Sequence, residues 1–307
     1  MLGFVAFRFV RLAVTLWLLV TLVFLAMQAA PGDPTDTLIS AGANRDVVES
    51  LRRDLGLDQP VWRQYLRYIG DLARGHFGVS WRNGTPVARQ LQRAFAHTVT
   101  LAVSAMLVAS VFGLAGGVLA ALYRNGVFDV VARLAALVGI SVPIFVINLS
   151  AIYLFAYRYP IFPTSGSESA QSLVLPAVTL GLFVAAMMLR LVRSTTLEVL
   201  MQEYVRAARS RGIPGRRVVF RHILPNILVT VVTLFGVQFG LLLGGSVITE
   251  TVFAWPGLGQ MTVHAIRTKD IPVVQGGVTV FASSFMVVNF LVDIVYPVLD
   301  PRISLRR

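Results

Sequence analysis

The chain has 307 residues, of which 56% are hydrophobic and only 14% charged, and its mean hydropathy is +0.72. Soluble domains are typically about 25% charged and about 45–50% apolar, so this composition excludes an ordinary soluble enzyme, and its apolarity excludes a disordered basic tail. The net charge of +12 rests almost wholly on arginine, with Lys269 the single lysine, and the absence of cysteine excludes disulfides and thiolate sites.

Six uncharged stretches are each long enough to cross a membrane, since a helix needs about 20 mainly apolar residues to span a hydrocarbon core of roughly 30 Å. They lie at residues 12–30, 98–123, 134–157, 169–189, 223–249 and 271–292, and the last continues past Asp293 to Leu299. We therefore expect an all-α polytopic membrane protein with six transmembrane helices. Pro143 and Pro176 predict kinks or span starts. Glycines in the second and fifth spans predict close helix contact.

The first stretch has a second interpretation. Arg8 and Arg11 before an apolar run, with small residues at 29–30, also resemble a signal peptide. The run is longer than the 7–15 residues of a usual signal core. Its removal would also leave an odd number of spans, so we favour a transmembrane helix.

Orientation follows from the basic residues in short loops. With the N-terminus inside, the inner segments hold fifteen arginines against four acidic residues, and eight of those arginines lie at 190–222. The outer segments hold twelve basic and ten acidic residues. Both termini are thus predicted to be cytoplasmic. We therefore interpret the charge as a topology signal plus a docking surface, and we expect the lipid bilayer but no nucleic acid among the partners.

The chain is predicted to consist of four parts. Residues 1–30 form the N-terminus and first span, and residues 31–97 form a small helical insertion on the outer face, with helical stripes at 47–55 and 61–72 and an Asn83-Gly84 turn. A solvated loop with two surface-lying helices is the alternative for this insertion. Residues 98–299 form a five-helix core that includes a cytoplasmic loop at 194–226, and 300–307 form the tail.

The loop at 197–226 carries the most informative pattern. Glu203 and Ala207 lie on one face of a predicted helix, and Tyr204, Ala208 and Arg211 lie on the adjacent face. Gly212 and the following Ile-Pro must end that helix. Paired alanines let another protein approach closely, and the arginines offer forked donors to its carboxylates. On spacing alone, this is either a cytoplasmic docking helix or a basic loop that only sets topology.

This stretch, EYVRAARSRG at 203–212 with Leu-Pro at 224–225, resembles the EAA-type loop of ABC importer permeases. The plain E-A-A triplet is absent because Tyr-Val-Arg separates the glutamate from the alanine pair. Further stretches resemble the dipeptide/oligopeptide/nickel permeases of this class, in order: PGDP at 31–34, LGLDQP at 55–60, QYL at 64–66, ETVFAWPGLG at 250–259, PVVQG at 272–276 and LDPR at 299–302. The long outer loop is similar to that of the first of the two permease subunits in such systems.

The resemblance implies a type I ABC importer permease fold in a bacterial or archaeal cytoplasmic membrane. It implies a second homologous permease, two ATPase subunits that bind ATP and Mg, and an extracytoplasmic binding protein that delivers di- or oligopeptides. This chain itself would bind no cofactor or metal. The residues that the resemblance assigns to ATPase coupling are Glu203, Tyr204, Ala207, Ala208, Arg211, Gly212 and Pro225.

The stretch after the fifth span has two interpretations. Glu250 is placed at the membrane exit, Phe253 and Trp255 follow, and Pro256-Gly257 break the helix. The aromatic residues either anchor the chain at the membrane interface or line the outer gate of the pathway. Asp293, the one ionisable residue well inside a predicted span, lies near Arg302 and the basic loops. It either forms a structural ion pair there or serves the pathway.

The absent motifs bear on the energy source. The sequence has no G-x-x-x-x-G-K-[ST] phosphate loop and no intramembrane chain of ionisable residues to relay protons. A transporter of this composition needs force from a partner. Nickel or another small solute is the alternative cargo, and a self-sufficient channel or secondary transporter is the alternative class. No paired carboxylates, Ser/His arrangement or HExxH supports an intramembrane enzyme.

Overall fold

The computed structural model describes residues 2–29 and 58–299. Apart from one isolated antiparallel pair, Val79 with Pro86, this part of the chain has no strand. The helices are, in order, α1 Leu2–Ala29, α2 Val61–Ala73, α3 Val87–Leu122, α4 Val127–Ser141, α5 Ile144–Arg158, α6 Val174–Leu200, α7 Glu203–Ser210, α8 Gly215–Val218, α9 Leu224–Gly245, α10 Val247–Val252, α11 Leu258–Arg267 and α12 Ile271–Leu299. A 3-10 turn at Ala170–Leu173 precedes α6, and a π-helical turn at Val219–Ile223 joins α8 to α9. The all-α prediction is confirmed; the predicted helix at 47–55 and the tail at 300–307 lie outside the described residues.

Within these residues, four helices are long and apolar enough to cross a bilayer by themselves: α1, α3, α6 and α12. The number rises to six if each of two bent helix pairs counts as one span. One of these pairs runs from α8 into α9, and its two arms, Gly215–Leu228 and Thr230–Gly244, meet at 51°. The described residues thus hold four to six candidate spans, and the exact number of six stays a prediction.

The bend at Pro143 is much sharper than a kink. Helices α4 and α5 meet at 100°, and Val142 between them is extended, with φ −82° and ψ 125°. Proline disfavours the helical conformation of the residue before it and lacks the N–H that would continue the ladder. Pro143 therefore ends one helix and caps the next. Pro176 lies in the first turn of α6, as expected of a span start.

The chain divides into two compact units, and each has its own core. The first unit comprises residues 1–96 and 257–283. Its core packs α11 and the start of α12 against the start of α3, where Val87, Leu91 and Leu258 are almost fully buried. Asp270 is also buried there, and it accepts hydrogen bonds from Ser80 Oγ and from the Trp81 backbone N–H.

The second unit comprises residues 97–256 and 284–307, and α6 runs through its middle. One apolar cluster joins α3, α6 and α9 around Leu101, Met188 and Leu242. The predicted close contacts are present. A Cβ on Gly117 would lie 2.8 Å from Val192 Cβ and 2.9 Å from the Leu189 carbonyl oxygen. Only glycine lets α3 approach α6 this closely.

Candidate coupling site

A short polar helix, α7, follows the end of α6 after two residues. It spans Glu203–Ser210, as the sequence pattern predicts. Gln202 before it is extended, Glu203 occupies the first turn, and Arg209 occupies the last. These charges oppose the partial charges of the helix ends, so they favour a helix of only eight residues at this position.

The end of α7 is a complete Schellman motif. Gly212 N–H donates to the Arg209 carbonyl over 3.0 Å, and Ile213 N–H donates to the Ala208 carbonyl over 3.3 Å. Gly212 has φ +72°, a conformation that costs glycine little and other residues more. Ile213 packs against the same apolar cluster as Ala208. The predicted helix stop at Gly212 is confirmed.

One face of α7 is buried in the second unit. Val205 is 0% and Ala208 5% exposed, and both belong to a cluster with Val192 of α6, Ile223 directly before α9 and Ile227 in α9. Val205 thus shares one apolar cluster with residues of α6, α8 and α9. We call Val205 and Ala208 the anchor face.

The opposite face is exposed and carries most of the residues predicted for coupling. They are Glu203, Tyr204, Ala207 and Arg211, with Arg206 and Arg209 beside them. Partial desolvation raises the pKa of the Tyr204 phenol above its ordinary value. Gly212 and Pro225 are exposed as well. This surface offers guanidinium donors and one carboxylate to a partner.

Only one alanine of the pair faces outward. The expectation that both approach a partner is wrong for Ala208, because successive helix residues point about 100° apart and Ala208 falls on the anchor face. Ala207 remains on the exposed face. The two neighbours thus have different structural roles.

An ion pair that the sequence did not reveal lies in the same unit. Arg193 Nε and Nη2 donate to Asp129 Oδ1 and Oδ2 over 2.5 and 2.8 Å, and Asp129 is fully buried. The Asn125 backbone N–H donates to Asp129 Oδ2 over 2.9 Å. Both charges looked like ordinary loop residues. The one available signal was an aspartate three residues after Gly126, in the first turn of a helix.

Comparison with known families assigns the chain. Residues 113–305 match the model for "Binding-protein-dependent transport system inner membrane component", and residues 1–102 match the model for the N-terminal part of such components. The chain belongs to this family. It is a multi-pass inner-membrane permease subunit of an ABC importer, as the resemblance implied.

Similar proteins agree with this assignment. The permease is 39% identical over 303 residues to glutathione transport system permease proteins of Escherichia coli K12 and Shigella boydii, with 99% of each chain covered. It also resembles a solved structure of the MetNI methionine ABC transporter in inward-facing conformations. That match has a TM-score of 0.54 and 20% identity, and it covers 68% of this chain and 95% of the other. At this identity it supports the type I importer permease fold alone.

The predicted gate residues of the permease are brought together and buried. Glu250 is fully buried and accepts hydrogen bonds from Thr98 Oγ1 and Ser246 Oγ over 2.8 and 2.7 Å. Trp255 Nε1 donates to the His97 carbonyl over 3.0 Å. Phe253 and Trp255 are 2% and 4% exposed, so neither ring anchors the permease to lipid.

The neighbouring backbone is tightly held. Gly166 N–H donates to the Phe253 carbonyl over 3.0 Å, and Asn148 Nδ2 donates to Thr249 Oγ1 over 3.1 Å. Pro256 is half-buried and Gly257 is buried, at the start of α11. A gating role for these residues stays a prediction. Asp293 is half-buried in α12, and Arg302, its predicted partner, lies outside the described residues.

Proposed function

We propose that α7 is the coupling helix through which an ATPase subunit drives this permease. The observation that carries the proposal is the division of α7 into an anchor face, Val205 and Ala208, and an exposed face that includes Ala207 and Arg211. A docking helix needs both faces. The first passes force to the transmembrane helices, and the second accepts a partner.

The force comes from a partner that binds nucleotide. Because this chain has no phosphate loop, ATP and Mg are held by two ATPase subunits, which close when ATP binds. That closure displaces α7 and a matching helix on a second, homologous permease. The anchor face transmits the displacement to α6 and α9, and the pathway between the two permeases alternates between inward-open and outward-open states. Hydrolysis resets the cycle.

The proposed cargo is a short peptide delivered by an extracytoplasmic binding protein. The support is the name of the relatives, which are glutathione transport permeases, since glutathione is a peptide of three residues. Nickel, free or chelated, is the alternative cargo. In the proposed topology six spans place both termini in the cytoplasm.

The coupling proposal is tested by substituting one exposed alanine. The complete transporter with Ala207→Trp is reconstituted in liposomes, and ATPase stimulation and peptide uptake are measured with the binding protein present. A bulky ring at Ala207 should block seating of the ATPase, so we expect both activities to fall while the permease still inserts and folds. Ala73→Trp, at an equally exposed alanine that ends α2, is the matched control and should leave both activities intact.

Normal uptake by Ala207→Trp would refute docking at α7. Cargo is tested separately, by comparing stimulation of the unaltered transporter by glutathione, dipeptides and nickel. Stimulation by nickel alone would overturn the peptide assignment without affecting the coupling proposal. Uptake by the permease reconstituted without ATPase would instead support the channel or secondary-transporter class.

A further inference from the structure

Helix α2 is held against two transmembrane helices of the first unit by its aromatic residues. Tyr65 Oη and Thr21 Oγ1 of α1 are 2.7 Å apart, and Tyr68 Oη and Thr279 Oγ1 of α12 are 3.3 Å apart. The Phe24 ring of α1 lies 5.4 Å from the Tyr65 ring and 5.7 Å from the Tyr68 ring. One side of α2 is therefore fixed to both α1 and α12.

These contacts indicate how deep α2 lies relative to the membrane surface. Thr21 lies eight residues before the end of α1 at Ala29, and Thr279 lies eight residues after the start of α12 at Ile271. At a rise of about 1.5 Å per residue, each contact is about 12 Å along its span from the helix end. The polar layer on each side of a bilayer is only roughly 5–8 Å thick. Contacts to two independent helices thus place α2 beside the spans, near the boundary between the headgroups and the acyl chains. It does not lie above the bilayer in open water.

The remaining surface of α2 is amphipathic along its length. Trp62 and Leu66 are 59% and 60% exposed and lie on one flank. Arg63 and Arg67 are exposed on the next flank at the same helical spacing, and Arg74, directly after the end of α2, is exposed as well. No residue of α2 is buried, so neither flank is covered by residues 2–29 or 58–299. An exposed tryptophan and leucine would be costly in water but favourable in lipid.

We propose that α2 lies in the lipid interface and binds anionic phospholipids. Trp62 and Leu66 insert beside the acyl chains, and the three arginines contact the headgroup phosphates. Tryptophan and arginine are the residues that interfacial helices use for these two layers. The neighbouring α1 also exposes leucines, including Leu22 and Leu25, as a lipid-facing helix does. The proposal is independent of the cargo and of coupling at α7.

The absence of native cysteine makes a direct depth measurement possible. Leu66→Cys and Arg67→Cys are each spin-labelled, and the labelled permease is assembled with its partners in liposomes. The relaxation rate of the spin label is measured with oxygen, which partitions into lipid, and with a water-soluble nickel chelate, and the two rates are compared. We expect oxygen to dominate at position 66 and the chelate to dominate at position 67, one residue away on the basic flank.

The result that would overturn the proposal is a label at position 66 that collides freely with the chelate. A label that becomes shielded only when the binding protein is added would overturn it as well, because α2 would then be a protein-docking surface. If the labels at positions 66 and 67 are both shielded from the chelate before the binding protein is added, the second permease covers α2 instead of lipid, and the proposal is overturned.

A second measurement tests the anionic lipid. The thermal midpoint of the reconstituted transporter is compared in phosphatidylglycerol and phosphatidylcholine vesicles. We expect phosphatidylglycerol to raise the midpoint, and Arg63→Gln/Arg67→Gln/Arg74→Gln to abolish that rise. The control is the triple variant of three other exposed arginines in the same unit, Arg82→Gln/Arg89→Gln/Arg93→Gln, which should keep it. If both triple variants lose this rise equally, or if the midpoint of the unaltered transporter is the same in both lipids, specific binding of phosphates at α2 is contradicted.

Discussion

Arg193 of α6 and Asp129 in the first turn of α4 form a bidentate ion pair that joins the two helices. Arg193 lies ten residues before the start of α7. The carboxylate is fully buried, and the Asn125 N–H also donates to it. Helix α4 is thereby fastened to the helix that leads into the proposed coupling site. The pair has a structural role that neither residue suggests when considered alone.

Removing one partner of this pair should destabilise the permease strongly. Arg193→Gln leaves a buried carboxylate without its main partner, which typically costs about 3–5 kcal/mol. Arg133 also lies near Asp129, at 3.4 Å, but its side chain is 50% exposed. Arg133→Gln is therefore the control and should cost about 1 kcal/mol or less. Reversible unfolding in mixed micelles measures both changes in the free energy of unfolding. Equal effects would contradict the dominant role of Arg193.

Glycine at position 212 should be required by its backbone conformation. Gly212→Ala forces a side chain into φ +72°, where a residue other than glycine pays roughly 1–2 kcal/mol. No atom lies within 4 Å of the added Cβ, so the cost is conformational and not steric. We expect lower stability of the α7 turn and weaker coupling of ATPase activity to uptake.

Gly215→Ala provides the comparison for that variant. Gly215 begins α8, has no positive φ and has no neighbour within 4 Å of an added Cβ. Alanine there should be neutral or stabilising by about 0.4–1 kcal/mol. Hydrogen exchange of the 203–215 amides measures both variants. A Gly212→Ala chain as protected as Gly215→Ala would show that the left-handed turn is unimportant.

Close packing of α3 on α6 should fail when a methyl group is added at Gly117. The new Cβ would sit 2.8 Å from Val192 Cβ, so one helix must move, at a typical cost of about 1–3 kcal/mol. Gly244→Ala meets nothing within 4 Å and is the matched control in a second transmembrane helix. Thermal unfolding in detergent should separate the two variants. Equal midpoints would contradict the closeness of this contact.

The buried Glu250 should depend on the hydroxyl of Thr98. Thr98→Val keeps the shape of the side chain but removes the donor at 2.8 Å, and loss of such a bond to a buried group costs about 1–3 kcal/mol. Thr251→Val, at an exposed position of α10, should change stability by no more than about 0.5 kcal/mol. Chemical unfolding followed by Trp fluorescence measures both. A larger effect at Thr251 would contradict the importance of the Thr98 contact.

Much of the α7 site could be predicted from sequence because its signals are local. The helix at Glu203, its stop at Gly212 and the break at Pro143 each follow from the backbone preferences of one or two residues. Which side chains of α7 are exposed and which are buried was less predictable. Which of Ala207 and Ala208 points outward depends on where α6 and α9 pass, and no local pattern contains that information.

The sequence by itself determined that this is an all-α membrane protein, because the bilayer demands about 20 apolar residues for each span and excludes charge from them. It also determined individual helix breaks, such as those at Pro143 and Gly212, through the backbone preferences of proline and glycine. The tertiary structure alone decided the pairing of Asp129 with Arg193, 64 residues apart, the burial of Glu250, and the seating of α2 against Thr21 and Thr279. Each of these depends on side chains distant in sequence meeting in a packed interior, where an unpaired polar group is costly.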